Sequence, residues 1–200
     1  MGTIQREQRL QYVLRLEDPP VAQALFESVR WSWVWLILRL YAGWAWLQAG
    51  IGKIGADAWT GENAGAAITG FVRGALEQTA GAHPNVQGWY AAFLESFVLP
   101  NAALWGFMVA WGELLVGIAL IVGLFTGIAA FFGAFMNMNY LLSGAVSTNP
   151  ILLAIAILLI LAWKTAGWWG LDRWVLPALG TPWSPGLVFR EDEVVETETV

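Results

Sequence analysis

The chain has 200 residues, 58% of them hydrophobic and only 12% charged, with a mean hydropathy of +0.57. Soluble domains carry about 25% charged residues, so the composition points to one compact helical membrane domain. A net charge of −5 without a basic patch excludes a nucleic-acid partner, and the absence of cysteine with a single histidine, His83, excludes disulfides, thiolate zinc sites, iron–sulfur clusters and bis-histidine or covalently attached haem.

Residues 1–30 are expected to form a cytoplasmic lead-in. Arg6, Arg9, Arg15 and Arg30 are mixed with acids there, and no isolated apolar stretch of the signal-peptide kind is present. Asp18-Pro19-Pro20 breaks this segment, and residues 21–30 are expected to reach the membrane as one amphipathic helix.

Four spans follow, at about residues 32–54, 102–122, 127–145 and 150–169. Each is close to the ~20 helical residues that a bilayer crossing takes. Leu99-Pro100-Asn101 reads as the start of span two, and Asn149-Pro150 as an N-cap followed by proline at the first position of span four. Only residues 123–126 separate spans two and three, so those helices should be antiparallel neighbours. The 47 residues between spans one and two, 55–101, are too polar to cross. Residues 64–79 and 88–98 carry apolar side chains at helical spacing. They are expected to form an external amphipathic helical hairpin, lying on the membrane, capping the bundle or standing in solvent. His83-Pro84 within it reads as a turn.

The fold expected is thus an all-α membrane protein, a four-helix transmembrane bundle. Lysine and arginine favour the cytoplasmic side, which places both termini inside and residues 55–101 outside. Trp31, Trp33 and Trp35 should share a cytoplasmic interface with Trp168, Trp169 and Trp174. Residues 178–200 read as an acidic cytoplasmic tail.

Two ionisable residues lie within the apolar runs, Arg39 and Glu113. A charge near mid-membrane costs from about 3 to more than 10 kcal/mol, so each needs a partner, a cavity or a ligand. The two are expected to be within reach of each other, as a functional site or as an ion pair that fixes register. On span one, Arg39, Gly43, Trp46, Gly50 and Lys53 share a stripe whose glycines admit close approach. Trp46 and Trp111 sit too deep for an interfacial belt and offer ring faces or packing bulk. Asn137 and Asn139 are ~200° apart on a helix, so one should bond a neighbouring helix while the other faces the site. Gln48, opposite Arg39, is expected to bond another helix.

The order of these motifs is recognisable: Arg39-Leu-Tyr-Ala-Gly43, Gly50-Ile-Gly-Lys53, Leu99-Pro-Asn101, Gly112-Glu-Leu-Leu-Val-Gly117, Met136-Asn-Met-Asn139, Ser147-Thr-Asn-Pro150 and Gly170-Leu-Asp-Arg173. Residues 31–177 resemble the DoxX/DoxD family of bacterial and archaeal membrane proteins, and most closely its DoxD branch, read here as the large subunit of thiosulfate:quinone oxidoreductase. The resemblance implies a multi-pass protein of the cell (inner) membrane that oxidises thiosulfate to tetrathionate and passes electrons to membrane quinone beside a partner subunit, DoxA. A quinone headgroup would then lie between spans one, two and three among Gly43, Trp46, Trp111, Asn137 and Asn139. Arg39 would polarise a quinone oxygen, Glu113 would exchange the proton, and Lys53 would attract an anionic substrate or the partner. No metal ligand set is expected. The family also contains accessory subunits, so the alternative expectation is a non-catalytic structural subunit of a larger respiratory or photosynthetic complex.

Overall fold

The computed structural model describes residues 18–180, and their regular structure is all helical, with no strand. The expected arginine-bearing lead-in before residue 18 and the acidic tail after residue 180 lie outside the described residues. Four helices make the bundle and two shorter ones cap it: α1 Ser32–Lys53, α2 Ala66–Leu76, α3 Gly88–Phe93, α4 Ala102–Val122, α5 Thr126–Leu142 and α6 Asn149–Leu161, followed by a short α7, Asp172–Ala178.

The most extensive contact is between antiparallel α1 and α4, and glycine makes it possible. A Cβ on Gly50 would stand 2.4 Å from the Leu114 nitrogen, and one on Gly117 would stand 2.4 Å from the Leu47 nitrogen. The two backbones therefore touch where any side chain would force them apart. Gly43 meets Leu120 and Ile121 in the same seam. These three contacts fix the register, so that Arg39 is level with the turn after α4, whereas Glu113 is level with the far end of α1. α5 and α6 form the second pair.

The helix carrying Glu113 is longer than the motif at Leu99-Pro100-Asn101 suggests. α3 continues into α4 through a π-helical turn, Leu94–Val98, and a 3-10 turn, Leu99–Asn101. The unbroken run Gly88–Val122 has 35 residues and is the one helix among the described residues both long and apolar enough to cross a membrane. The π turn and the 3-10 turn rearrange the hydrogen bonding around Pro100, so its missing N–H does not end the helix. At 1.5 Å per residue the run is ~52 Å long, and its first third reaches past the four-helix core into the cap.

That protruding part and α2 form the expected hairpin, and it caps the bundle. Ile68, Val72, Ala75, Val86, Tyr90, Leu94 and Val98 make its own core, packed on Trp105, Val109 and Leu142. Its entry is tight: a Cβ on Gly65 would meet the Ala103 backbone at 2.6 Å. His83 is exposed in its turn.

Two expectations need correction at the opposite end. Residues 21–30 are not one helix, because Ser28 is extended (φ −86°, ψ 127°) and its side chain caps Arg30. The fourth helix stops at Leu161 rather than near residue 169. The chain from 162 onward is instead stitched to its neighbours. Lys164 pairs with Glu27, Thr165 donates to the Phe26 carbonyl, and Leu171 and Asp172 N–H groups bond the Val122 and Gly123 carbonyls. The Trp169 indole donates to Ser32 at 2.9 Å, so the two tryptophan clusters do share one end. Trp35 is an exception, buried with its indole on the Leu25 carbonyl.

The outer faces of α1, α4, α5 and α6 are apolar. Ile37, Trp44, Leu104, Phe107, Leu115, Ile128, Phe131, Ile151 and Leu161 are all exposed. So large an apolar surface is foreign to a soluble monomer.

Candidate functional site

At the hairpin end a cavity of about 460 Å³ opens between α1, α4, α5, the α5–α6 loop and the capping hairpin. Its wall is largely aromatic and aliphatic, and one polar cluster projects into it. The centre is Glu113. Its Oε2 accepts from Lys53 Nζ at 2.5 Å and its Oε1 accepts from the Tyr140 hydroxyl at 2.7 Å. The Glu113 side chain is 3% exposed, that of Lys53 20%. A buried carboxylate is tolerated only with such compensation.

Each member is placed by its helix. Lys53 ends α1, where its ammonium lies 3.4 Å from the Ala49 carbonyl and 5.0 Å from the Trp59 ring centroid. A cation at a helix C-terminus is also favoured by the helix dipole. Tyr140 is set between Trp46, 6.5 Å between ring centroids, and Phe71, 6.2 Å. From the neighbouring position on α5, Asn139 Oδ1 accepts from the Tyr90 hydroxyl at 2.9 Å, which fastens the hairpin to α5. Asn139 Nδ2 returns to the Phe135 carbonyl at 2.7 Å.

The cavity thus unites Glu113, Lys53, Trp46 and Asn139 of the expected set. The other four lie elsewhere. Gly43 faces the α1–α4 seam. Trp111 is exposed on the outer face of α4 beside Phe107. Asn137 points into the core, fully buried, and neither amide atom meets a hydrogen-bond partner among the described residues. Gln48, expected to bond a helix, is exposed on α1.

Arg39 is the largest departure. The expected Arg39–Glu113 pair does not form, because the α1–α4 register separates the two by about twelve residues, ~18 Å along the axis. Arg39 is 1% exposed and threads between two glycines: a Cβ on Gly123 would fall 1.5 Å from its Nη1, and one on Gly170 would fall 2.5 Å away. Its Nη2 donates to the Trp169 carbonyl at 3.1 Å. Asp172 supplies the countercharge. That carboxylate also accepts from the Phe125 and Thr126 N–H groups, at 2.6 and 2.9 Å, and so caps α5 from a distant segment.

Tyr140, Trp59 and Asp172 were not among the expected site residues. Tyr140 was findable, since it shares a helical face with Met136 and Ser143 at four- and three-residue spacing. Asp172 carried only the Gly170-Leu-Asp-Arg173 signal, without a partner.

Comparison with known families bears on this geometry. The model of the family described as "TQO small subunit DoxD" matches residues 34–184. The chain belongs to the DoxD family. The matched span takes in α1 through α7, the cavity and the Arg39–Asp172 cluster. The family's description calls the subunit small, where the resemblance above called it large; the match establishes DoxD membership and not the subunit's rank. No curated protein and no solved structure matches the chain significantly. Membership and the apolar Gly88–Val122 helix together indicate that this DoxD chain is a membrane protein, a subunit of the thiosulfate:quinone oxidoreductase type.

Proposed function

We propose that this chain is the quinone-reducing membrane subunit of a thiosulfate:quinone oxidoreductase, with the headgroup site in the Glu113 cavity. The observation that carries this reading is a slot of about 460 Å³ with aromatic walls and proton-carrying groups gathered at Glu113. Small-molecule sites run from about 300 to 1,000 Å³ and are mostly apolar with few polar groups, and a flat ring with two carbonyl oxygens fits that description. Trp46, Tyr140 and Phe71 supply ring faces, and Lys53 and Tyr140 supply donors. Phe135 lines the cavity yet is 56% exposed, so the slot meets the apolar exterior from which a lipid-soluble molecule comes.

Quinone, when bound, supplies the two-electron acceptor for the pair of electrons released as two thiosulfates join in tetrathionate. Glu113 would hold one of the two protons that this reduction consumes and be reprotonated for the second. In its ionised form it is stabilised by Lys53 and Tyr140; once protonated it becomes a donor and releases them to bond an oxygen in the cavity. Arg39 does not polarise that oxygen, because it is at the other end of the bundle. Its work is to hold the segment 169–172 against the α4–α5 turn.

In this reading the bundle of α1, α4, α5 and α6 is embedded in the bilayer, with the apolar outer faces toward lipid. The end carrying Ser32 and Trp169 is cytoplasmic and the hairpin external, by the arginine bias. The other subunits of the complex are DoxA-like.

The test is thiosulfate-dependent quinone reduction by the intact complex in membranes. Glu113→Gln keeps shape but not proton exchange, and is expected to lower turnover by ~100-fold or more, the usual scale of one acid–base group. Unchanged turnover in an intact complex would move the reaction off this chain and make it an accessory subunit.

A further inference from the structure

The Glu113 cluster is asymmetric, and the asymmetry has a direction. Toward the hairpin, Glu113 meets Lys53, whose side chain is 20% exposed and whose backbone carbonyl accepts from the Thr60 hydroxyl of the following loop. Toward the other end, among the described residues, no polar side chain stands in the α1–α4 seam between Glu113 and Arg39. α1 and α4 face each other there through Ala42, Gly43, Val116, Gly117 and Leu120. Asn137 lies buried in that interval, and neither of its amide atoms meets a backbone or side-chain partner among the described residues. The far end is closed by Arg39 packed between Gly123 and Gly170 and by the backbone bonds of Leu171 and Asp172.

We infer that Glu113 exchanges protons with water on the hairpin side only, and that Lys53 is the relay and gate of that exchange. This deepens the proposed function and rests on it for its meaning: the two protons taken up with two electrons when quinone becomes quinol are drawn from the hairpin side of the membrane. The groups around Glu113 are few. Lys53 faces it from α1 and Tyr140 from α5; Tyr90 reaches the same cavity from the hairpin, and α6 lends no titratable side chain. Tyr140 is enclosed between Trp46 and Phe71. Lys53 is thus the charged group that contacts both Glu113 and the outside. Its ammonium holds the carboxylate in place, and swinging it from Glu113 toward the loop would admit water to Oε2. Lys53 therefore relays the proton while it is paired with Glu113, and serves as a donor to the cavity once the protonated carboxyl releases it.

The test uses the full chain in sealed vesicles without added quinone. Vesicles are sorted for hairpin-outward chains by labelling a cysteine placed at Gly81. Glu113 protonation is read by its modification with dicyclohexylcarbodiimide, which attacks protonated carboxyls, and peptides are identified by mass. Acidifying the hairpin side should raise Glu113 modification severalfold, and acidifying the other side should leave it unchanged. Carboxyl infrared absorption after a pH jump gives the rate. Lys53→Met should slow the response severalfold, and so should Lys53→Arg, which keeps the positive charge beside Glu113 but gives up no proton. Modification that follows the pH on the termini side would overturn the inference, as would a Lys53→Met chain that responds as fast as the original. Should Lys53→Met fail to fold, the sidedness measurement on the unmodified chain still decides. Because no step uses quinone, a sided response in a chain that never binds quinone would sink the functional reading alone.

Discussion

Arg39 and Glu113 show how burial assigns a charge to a neighbourhood rather than to a particular mate. Both are nearly fully enclosed, and each found different company: Glu113 is ion-paired with Lys53, whereas Arg39 donates to the Trp169 carbonyl with Asp172 as a countercharge outside direct ion-pair contact. Breaking a buried pair strands its survivor at a cost of about 3–5 kcal/mol. We expect Arg39→Met and Asp172→Asn to be non-additive in thermal stability, because each removes half of one cluster. Arg39→Met and Glu113→Gln should be additive, since sites more than about 10 Å apart without shared partners usually are. Double-mutant cycles on the purified chain check both statements, and strong coupling of Arg39 to Glu113 would contradict the register described above. Asn137 gives a second expectation at this scale. A buried amide without partners forfeits its hydration, about 1–3 kcal/mol, and Leu has nearly its shape. Asn137→Leu is therefore expected to leave the melting temperature unchanged or raise it. A loss of several degrees would mean that a polar group meets the amide.

Among the elements, the α1–α4 pair sets every distance in the site, and its glycines set the pair. Gly50 and Gly117 have the facing backbone where a Cβ would be, so their substitution cannot be absorbed by turning a side chain. Gly117→Val is expected to destabilise by about 1–3 kcal/mol or more, the scale of an overpacked core, and to pull Glu113 from Lys53 as well. The measurement is thermal unfolding alongside quinone reduction, and both should fall together. Gly70→Ala, on the open side of α2 where a Cβ would meet nothing within 4 Å, offers no such coupling. This seam was partly legible in the sequence: the stripe of Gly43 and Gly50 announced a close approach. What it approached was not legible. Spacing along one helix says which residues share a face, but the axial offset between two helices comes from their contact. An offset of twelve residues turned an apparent Arg39–Glu113 pair into two separate clusters. The long Gly88–Val122 helix was obscured for a local reason, since Pro100 reads as a boundary unless a π turn accommodates it. The short α6 was obscured for a non-local one, because residues 162–172 are held by Glu27, Phe26, Val122 and Gly123.

For the whole molecule, an apolar exterior, a closed end and a hollow end describe a chain built around one chamber. Its closed end is a charge cluster with glycine clearances; its hollow end is capped by a hairpin latched through Tyr90 and Asn139. Composition and hydropathy made the membrane class and the four apolar runs visible, and motif order made the DoxD family visible. The chamber itself was not, because it depends on where the hairpin folds back. The central claim is that a quinone headgroup occupies this chamber. The direct measurement is the quinone content of the chain purified from its own membranes in mild detergent, compared with Ala49→Phe. Ala49 lines the chamber and its carbonyl, not its side chain, contacts Lys53, so the new ring fills space while the Glu113 cluster stays. The account predicts bound quinone in the original chain and its loss in a folded Ala49→Phe chain. Equal quinone in both, or none in either, would contradict it.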